Sequence, residues 1–192
     1  GWDRTDLRDA GLGGGNKDGQ IKDGFRDRVM FPIIDSGGDG FGLGGRVMDD
    51  STPKYLNSPD TPVYNKGRNV FALNIAKKSR AGRVILTAGY MDTISLHPAG
   101  FDSAVASLGT PPTEEHAQLL ARHSKDAVIA YDGDGAGVSA ARRAIPWLGR
   151  AGRNVKVLRG KGAKDPDEFI KKYGPEAFAR LLDKSENHID YR

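Results

Sequence analysis

A chain of 192 residues that is 38% hydrophobic and 28% charged can bury one core or two small ones, which excludes a disordered polymer. No apolar run approaches the ~18 residues that cross a bilayer, the opening residues lack the basic-then-apolar profile of a secretory leader, and the absence of cysteine excludes a disulfide framework or a Cys-based zinc ribbon, so a cytoplasmic setting with no membrane partner is expected. The formal charge of +4, from 29 Lys and Arg against 25 Asp and Glu, fits a polyanionic partner and a plain basic surface about equally.

Residues 3–10 predict a short helix closed by Gly11, and the glycine-rich stretch 13–19 predicts a turn. Residues 28–34 (RVMFPII) and 43–48 (LGGRVM) read as strands joined through the polar segment 35–40. Residues 52–66, rich in Pro, Asn, Ser and Tyr, follow neither period and predict an ordered loop, and 69–78 a short helix. From Arg83 onward, strands over 84–86, 104–106, 127–131 and 155–158 alternate with helices over 90–96, 113–122 and 137–148. Two helices, 166–173 and 175–183, close the series. Short apolar strands separated by helices predict an α/β fold with a largely parallel sheet covered on both faces, and the change of pattern puts a boundary near residue 80. The histidines at 97, 116, 123 and 188 show no ligand spacing and are expected at the surface or within helices.

The sharpest local signal follows the strand at 127–131. Asp132-Gly133-Asp134-Gly135 can turn two carboxylates towards one point, and the glycines at 133 and 135 permit tight backbone and leave room for a polyphosphate. Asp-Gly pairs are equally ordinary turn formers. Asp165-Pro166-Asp167 follows the next strand and opens a helix, so it belongs on the same rim of the sheet. There the competing explanation is helix capping by Asp165, and the two roles are compatible. Carboxylates crowded together resist ionisation unless a cation compensates, so two acidic pairs at one edge point to divalent metal and phosphoryl transfer.

Eight segments in order resemble successive motifs of the bacterial DnaG-type DNA primases. They are 25–33 (FRDRVMFPI), 44–46 (GGR), 53–59 (PKYLNSP), 64–68 (YNKGR), 89–92 (GYMD), 104–110 (AVASLGT), 132–137 (DGDGAG) and 165–167 (DPD). The resemblance implies a Toprim-type, mostly parallel sheet flanked by helices over 81–160. It also implies part of a small α+β subdomain over 1–80 and the start of a C-terminal helical subdomain over 161–192. It implies that Asp132, Asp134, Asp165 and Asp167 hold two Mg²⁺ or Mn²⁺ ions with Asp92 nearby, and that Arg28, Arg46, Lys54, Asn57, Lys66 and Arg68 face nucleotide and template. Lys and Arg suit phosphate, although any one of them alone is more often a solvated surface charge. Tyr55 and Tyr64 are candidates to stack on bases, whereas Phe31 is expected in the core.

The activity implied is RNA primer synthesis at a bacterial replication fork, from ribonucleoside triphosphates on a single-stranded DNA template. The partners implied are the RNA primer and, through a docking domain expected outside this chain along with a zinc-binding module, the replicative helicase. One catalytic position departs from the family: the glutamate expected before Gly-Tyr-Met-Asp is Ala88, which neither binds metal nor takes a proton, and Thr87 points to the other face. A divergent homologue, an introduced inactivating change and an altered sequence preserving the fold all fit this. Leu43 also stands where the family has Phe, and a looser hairpin is expected over 35–43. The leading alternative is a non-catalytic nucleic-acid- or nucleotide-binding module. A Toprim nuclease or topoisomerase-like enzyme is disfavoured by the motifs before residue 80.

Overall fold

The computed structural model describes residues 2–15, 20–158 and 162–187. The chain forms two compact units, Gly1–Lys66 and Gly67–Arg192.

In the first unit, α1 (Arg4–Asp9) starts where the Asp3 carboxylate accepts the amides of Thr5 and Asp6, at 2.6 and 2.9 Å. The glycine run expected to turn is a strand instead. β1 (Gly13–Gly15) pairs antiparallel with β2 (Ile21–Asp23), while 16–19 lie outside the described residues. A Cβ at Gly13 would come within 2.8 Å of the Ile21 side chain, so this close pairing accounts for a glycine there. β3 (Arg28–Ile34), β4 (Gly40–Val47) and β5 (Tyr55–Asn57) form a three-stranded antiparallel sheet in that order, so the expected loop over 52–66 contains a strand.

The hairpin over 35–43 is closed rather than loosened. Asp35 Oδ1 accepts the amides of Gly38 and Asp39, at 2.8 and 2.9 Å, and its own amide donates to the Asp39 carbonyl. Pairing therefore starts at Gly40, three residues before the expected strand. The register shifts between Ile33 and Ile34 and makes Phe41 the extra residue of a β-bulge. Its ring meets Tyr64 edge-on at 5.4 Å. Fully buried Tyr64 covers Gly42, where a Cβ would stand 3.1 Å from the ring.

The second unit is a six-stranded sheet. Its strands are β6 (Val70–Phe71), β7 (Arg83–Thr87), β8 (Ala104–Ser107), β9 (Asp126–Ala130), β10 (Asn154–Val157) and β11 (Glu186–Asn187), in the order β11-β10-β9-β7-β8-β6. β7 through β10 are parallel, and the two edge strands are antiparallel. The helix expected over 69–78 is reduced to α2 (Leu73–Ala76), because Val70 and Phe71 pair with β8. That pairing draws residues from Gly67 onward into the compact unit that holds the sheet.

Alternation along the strands supplies a core on each face. Val84, Leu86, Val105, Ala127, Ile129 and Val155 meet α4 (Glu114–Ala121) and α5 (Gly135–Arg150). Ile85, Ala104, Val128 and Ala130 meet α3 (Tyr90–Leu96), α6 (Pro166–Tyr173) and α7 (Pro175–Asp183) through Leu96, Phe169, Phe178 and Leu182. The two closing helices, expected as a separate subdomain, thus cover this sheet. His116 lies within α4, as expected, and is buried there: it completes the start of the helix, its Nδ1 accepting the Thr113 amide while its own amide donates to the Thr113 hydroxyl. His188 lies outside the described residues.

The Tyr64 hydroxyl is buried without a hydrogen-bond partner among the described residues, an arrangement that costs about 1–3 kcal/mol. Tyr64→Phe should therefore leave stability in urea denaturation unchanged or raise it by about 1 kcal/mol. Tyr64→Ala should lower it by about 3–5 kcal/mol.

Candidate active site

β7 lies between β8 and β9, so the connections leaving β7 and β9 run to opposite sides and their loops part at the carboxyl ends of these strands. Ala88 begins one loop and is exposed; Asp132 is the second residue of the other. Thr87, directly before Ala88, is fully buried. Its hydroxyl lies 2.9 Å from that of Thr93 and 3.1 Å from the Val105 carbonyl oxygen, so it faces the interior and offers the crevice no ligand.

Helix starts deliver the acids. Asp134 caps α5 by accepting the Gly137 amide at 2.8 Å, and Asp165 caps α6 by accepting the Glu168 amide at 2.8 Å, with Pro166 in the first helical position. The Gly133 amide donates to the Lys164 carbonyl at 3.1 Å and ties the two loops together. Asp92, in the first turn of α3, accepts the Asp167 amide at 3.3 Å. It is the most buried of the five acids, with 7% exposure. Burial first, then the charges of Asp165 and Asp132, push its carboxyl up to about 7 against the pull of the Asp167 amide. Asp132 is likewise raised by burial, then by Asp165 and Asp134, with Lys164 opposing. Asp92 therefore feels the charges of Asp165 and Asp132, and Asp132 those of Asp165 and Asp134.

Asp167 is placed differently. Its carboxylate is held by the Ser95 hydroxyl and by Lys171 Nζ, the latter at 2.7 Å. Among the described residues, no three acidic or histidine side chains form a ready-made metal cage. The donors are all oxygen, the chemistry that suits a hard divalent cation, and the repulsion around Asp92 and Asp132 is what such a cation would relieve. Lys164 and Ser95, which moderate this charge, carry no motif that marks them in the sequence. A cavity of about 370 Å³ opens beside Asp132 and Asp165, between α5 and the pair α6–α7.

The expected roles of the glycines change places. Neither Gly133 nor Gly135 has a positive φ, and a Cβ on either would meet open space. Gly137 is the constrained one: a Cβ there would collide with the Asp132 backbone, 2.8 Å from its carbonyl carbon.

In the first unit, register puts Val29, Arg46 and Tyr55 side by side, with Phe31 and Asn57 two residues along on the same face. The Arg46 guanidinium lies 5.9 Å from the Tyr55 ring centre, and its Nε is buried without a hydrogen-bond partner among the described residues. Tyr55 is 40% exposed and Phe31 half-buried. Arg28 is out of phase with this row, and its guanidinium donates to the carbonyls of Pro53 and Lys54 at 2.8 and 3.3 Å. It braces the chain before β5, while the Lys54 side chain is exposed. The Lys66 amide donates to Asp60, and Arg68 is exposed in the second unit.

Two family models match in tandem: the N-terminal domain of the DNA primase catalytic core over residues 1–77, and a Toprim-like domain over 85–170. The DNA primase of Clostridium acetobutylicum is 47% identical over all of this chain. The E. coli primase catalytic core superposes with a TM-score of 0.91 at 40% identity, covering 98% of this chain and 62% of that one. The chain belongs to the DnaG-type DNA primases. A DnaG primase catalytic domain solved bound to ssDNA is also similar, with a TM-score of 0.86 at 40% identity over 96% of this chain and 59% of that one. The chain spans about a third of the length of its curated relatives, 32% for the Clostridium primase.

Gly137→Ala should lower stability by about 1–3 kcal/mol through overpacking against the Asp132 loop. Gly135→Ala, which meets open space at a helix start, should change it by less than about 0.5 kcal/mol. Chemical denaturation of the two variants checks the contrast.

Proposed function

We propose that the chain supplies the metal- and nucleotide-handling part of a DNA-directed RNA primer synthase, attenuated at position 88. The observation that carries this reading is the crowding of acids around Asp92 and Asp132: burial, then the charges of Asp165 and Asp132, raise the proton affinity of Asp92, and burial, then those of Asp165 and Asp134, raise that of Asp132. When bound, Mg²⁺ or Mn²⁺ would neutralise triphosphate oxygens and polarise the phosphorus under attack by a primer 3′-hydroxyl. Asp132, Asp134 and Asp165 would hold the ions. Asp92 would bind Asp167's backbone in place, and Asp167 would join the ligands by leaving Lys171. Exposed Ala88 supplies no carboxylate to orient the hydroxyl or take up its proton. That omission commonly costs ~10²–10⁴-fold.

On the first unit, Arg46, Tyr55 and Asn57 would form the nucleotide- and template-facing row, with Lys54 and Lys66 adding phosphate contacts; Arg68, on the second unit, would add its own. A single-stranded DNA template is supported by the similar catalytic domain solved with ssDNA. Ribonucleoside triphosphates, an RNA primer, a helicase partner and a place at the bacterial replication fork in the cytoplasm follow from the family. Among the described residues no helix is long and apolar enough to cross a membrane.

A second reading, a binding module without catalysis, is favoured by Ala88 and by the pairing of Asp167 with Lys171. Placing Ala88→Glu in an otherwise complete core separates the two. The primer-synthase reading expects at least ~10²-fold faster primer synthesis with Mg²⁺ or Mn²⁺ and tighter Mn²⁺ binding by calorimetry. Silence in both proteins supports the binding module.

A further inference from the structure

The rim of the parallel sheet opposite the acids, where the strands begin, carries the reverse charge. Lys77 and Arg122 cap the ends of α2 and α4, and Arg150 lies in the last turn of α5. Arg83, Lys125 and Arg153 stand at or just before the starts of β7, β9 and β10. Hydrogen bonds make these positions one surface. The Ser124 hydroxyl donates to the Gly82 carbonyl at 2.8 Å, Arg153 donates to the Ser124 carbonyl at 2.6 Å, and the Asn154 amide donates to the Lys125 carbonyl at 3.0 Å. Lys77 and Arg122 flank His123, whose imidazolium is disfavoured by burial and then by those two charges.

Three aspartates share the rim and do not balance it. Asp183 stands 3.8 Å from Arg83, Asp126 accepts the Asn154 side-chain amide at 2.8 Å, and Asp102 accepts the Ser79 hydroxyl at 2.5 Å. Cations at helix carboxyl ends favour the helix dipole, which accounts for Lys77, Arg122 and Arg150 one at a time. Arg153 braces loop carbonyls. Lys125 is exposed and serves neither purpose. Beside this surface the Arg150 guanidinium lies over the half-buried Trp147 ring at 4.6 Å, a flat cationic and aromatic pair.

We propose that this rim binds single-stranded nucleic acid, its lysines and arginines on the phosphates and the Arg150–Trp147 pair against an unstacked base. A duplex hides its base faces from such a pair, whereas a single strand offers them. β7 is five residues long, about 16 Å, so a strand on this rim stays clear of the acids at the other end. The inference needs the chain to meet nucleic acid but nothing from the reading of the acidic site.

The test is fluorescence anisotropy of a labelled oligothymidylate across a salt series, in EDTA so that metal plays no part. The proteins are the unaltered chain and the triple variants Arg122→Glu/Lys125→Glu/Arg150→Glu and Arg122→Gln/Lys125→Gln/Arg150→Gln. The milder glutamine set guards against misfolding, checked by circular dichroism. Affinity at low salt should fall at least about tenfold in both, and in the glutamine variant the slope of log affinity against log salt should shrink by about 1.4, two phosphate contacts (Arg122 and Lys125) at about 0.7 each. Unchanged affinity and slope in the folded glutamine variant would overturn the proposal. An equal loss towards duplex DNA and polyglutamate would overturn it as well, since the rim would then be an unselective polyanion surface.

Discussion

Crowded negative charge is the constraint on which the second unit turns. Asp92 and Asp132 are raised by burial and by the aspartates beside them, a repulsion stronger than it would be in water. The fold eases the negative charge at this edge with helix amides and the ammonium groups of Lys164 and Lys171. What remains uncompensated falls on Asp92 and Asp132. A sheet whose four central strands begin at one rim also sorts the charge: helix amino ends gather with the acids, and helix carboxyl ends gather with Lys77, Arg122 and Arg150 on the far side.

Most of the second unit was legible because β7, β8 and β9 carry unbroken runs of apolar residues, and α5, α6 and α7 open on Asp or Pro. Residues 84–86 and 127–131 have no other use for so much Val, Ile and Leu. Legibility failed where pairing overrides local preference. Gly13–Gly15 has the composition of a turn and becomes a strand through its partner, and Val70–Phe71 is pulled from an expected helix by β8. Tyr55–Asn57 is too short to announce itself against its proline-rich surroundings.

At the site, residue types were readable and their duties less so. DGDG and DPD correctly marked the loops that meet, but the spacing does not reveal that Asp167 turns to Ser95 and Lys171, or that Asp92 sits deepest. Nor does it separate Gly137, pressed against Asp132, from Gly133 and Gly135 in the open. In the first unit, cross-strand register divides basic residues that look alike in sequence: Arg46 joins the row with Tyr55, and Arg28 is spent on the carbonyls of Pro53 and Lys54.

Asp134 and Asp165 serve two masters, since each also begins a helix. Position 88 has no such second employment; it is exposed and donates to nothing the fold requires. Losing either aspartate would therefore also weaken a helix start, by about 1 kcal/mol, whereas a change at position 88 leaves α5 and α6 untouched. An intact-looking acidic motif is in this way a record of folding as much as of chemistry.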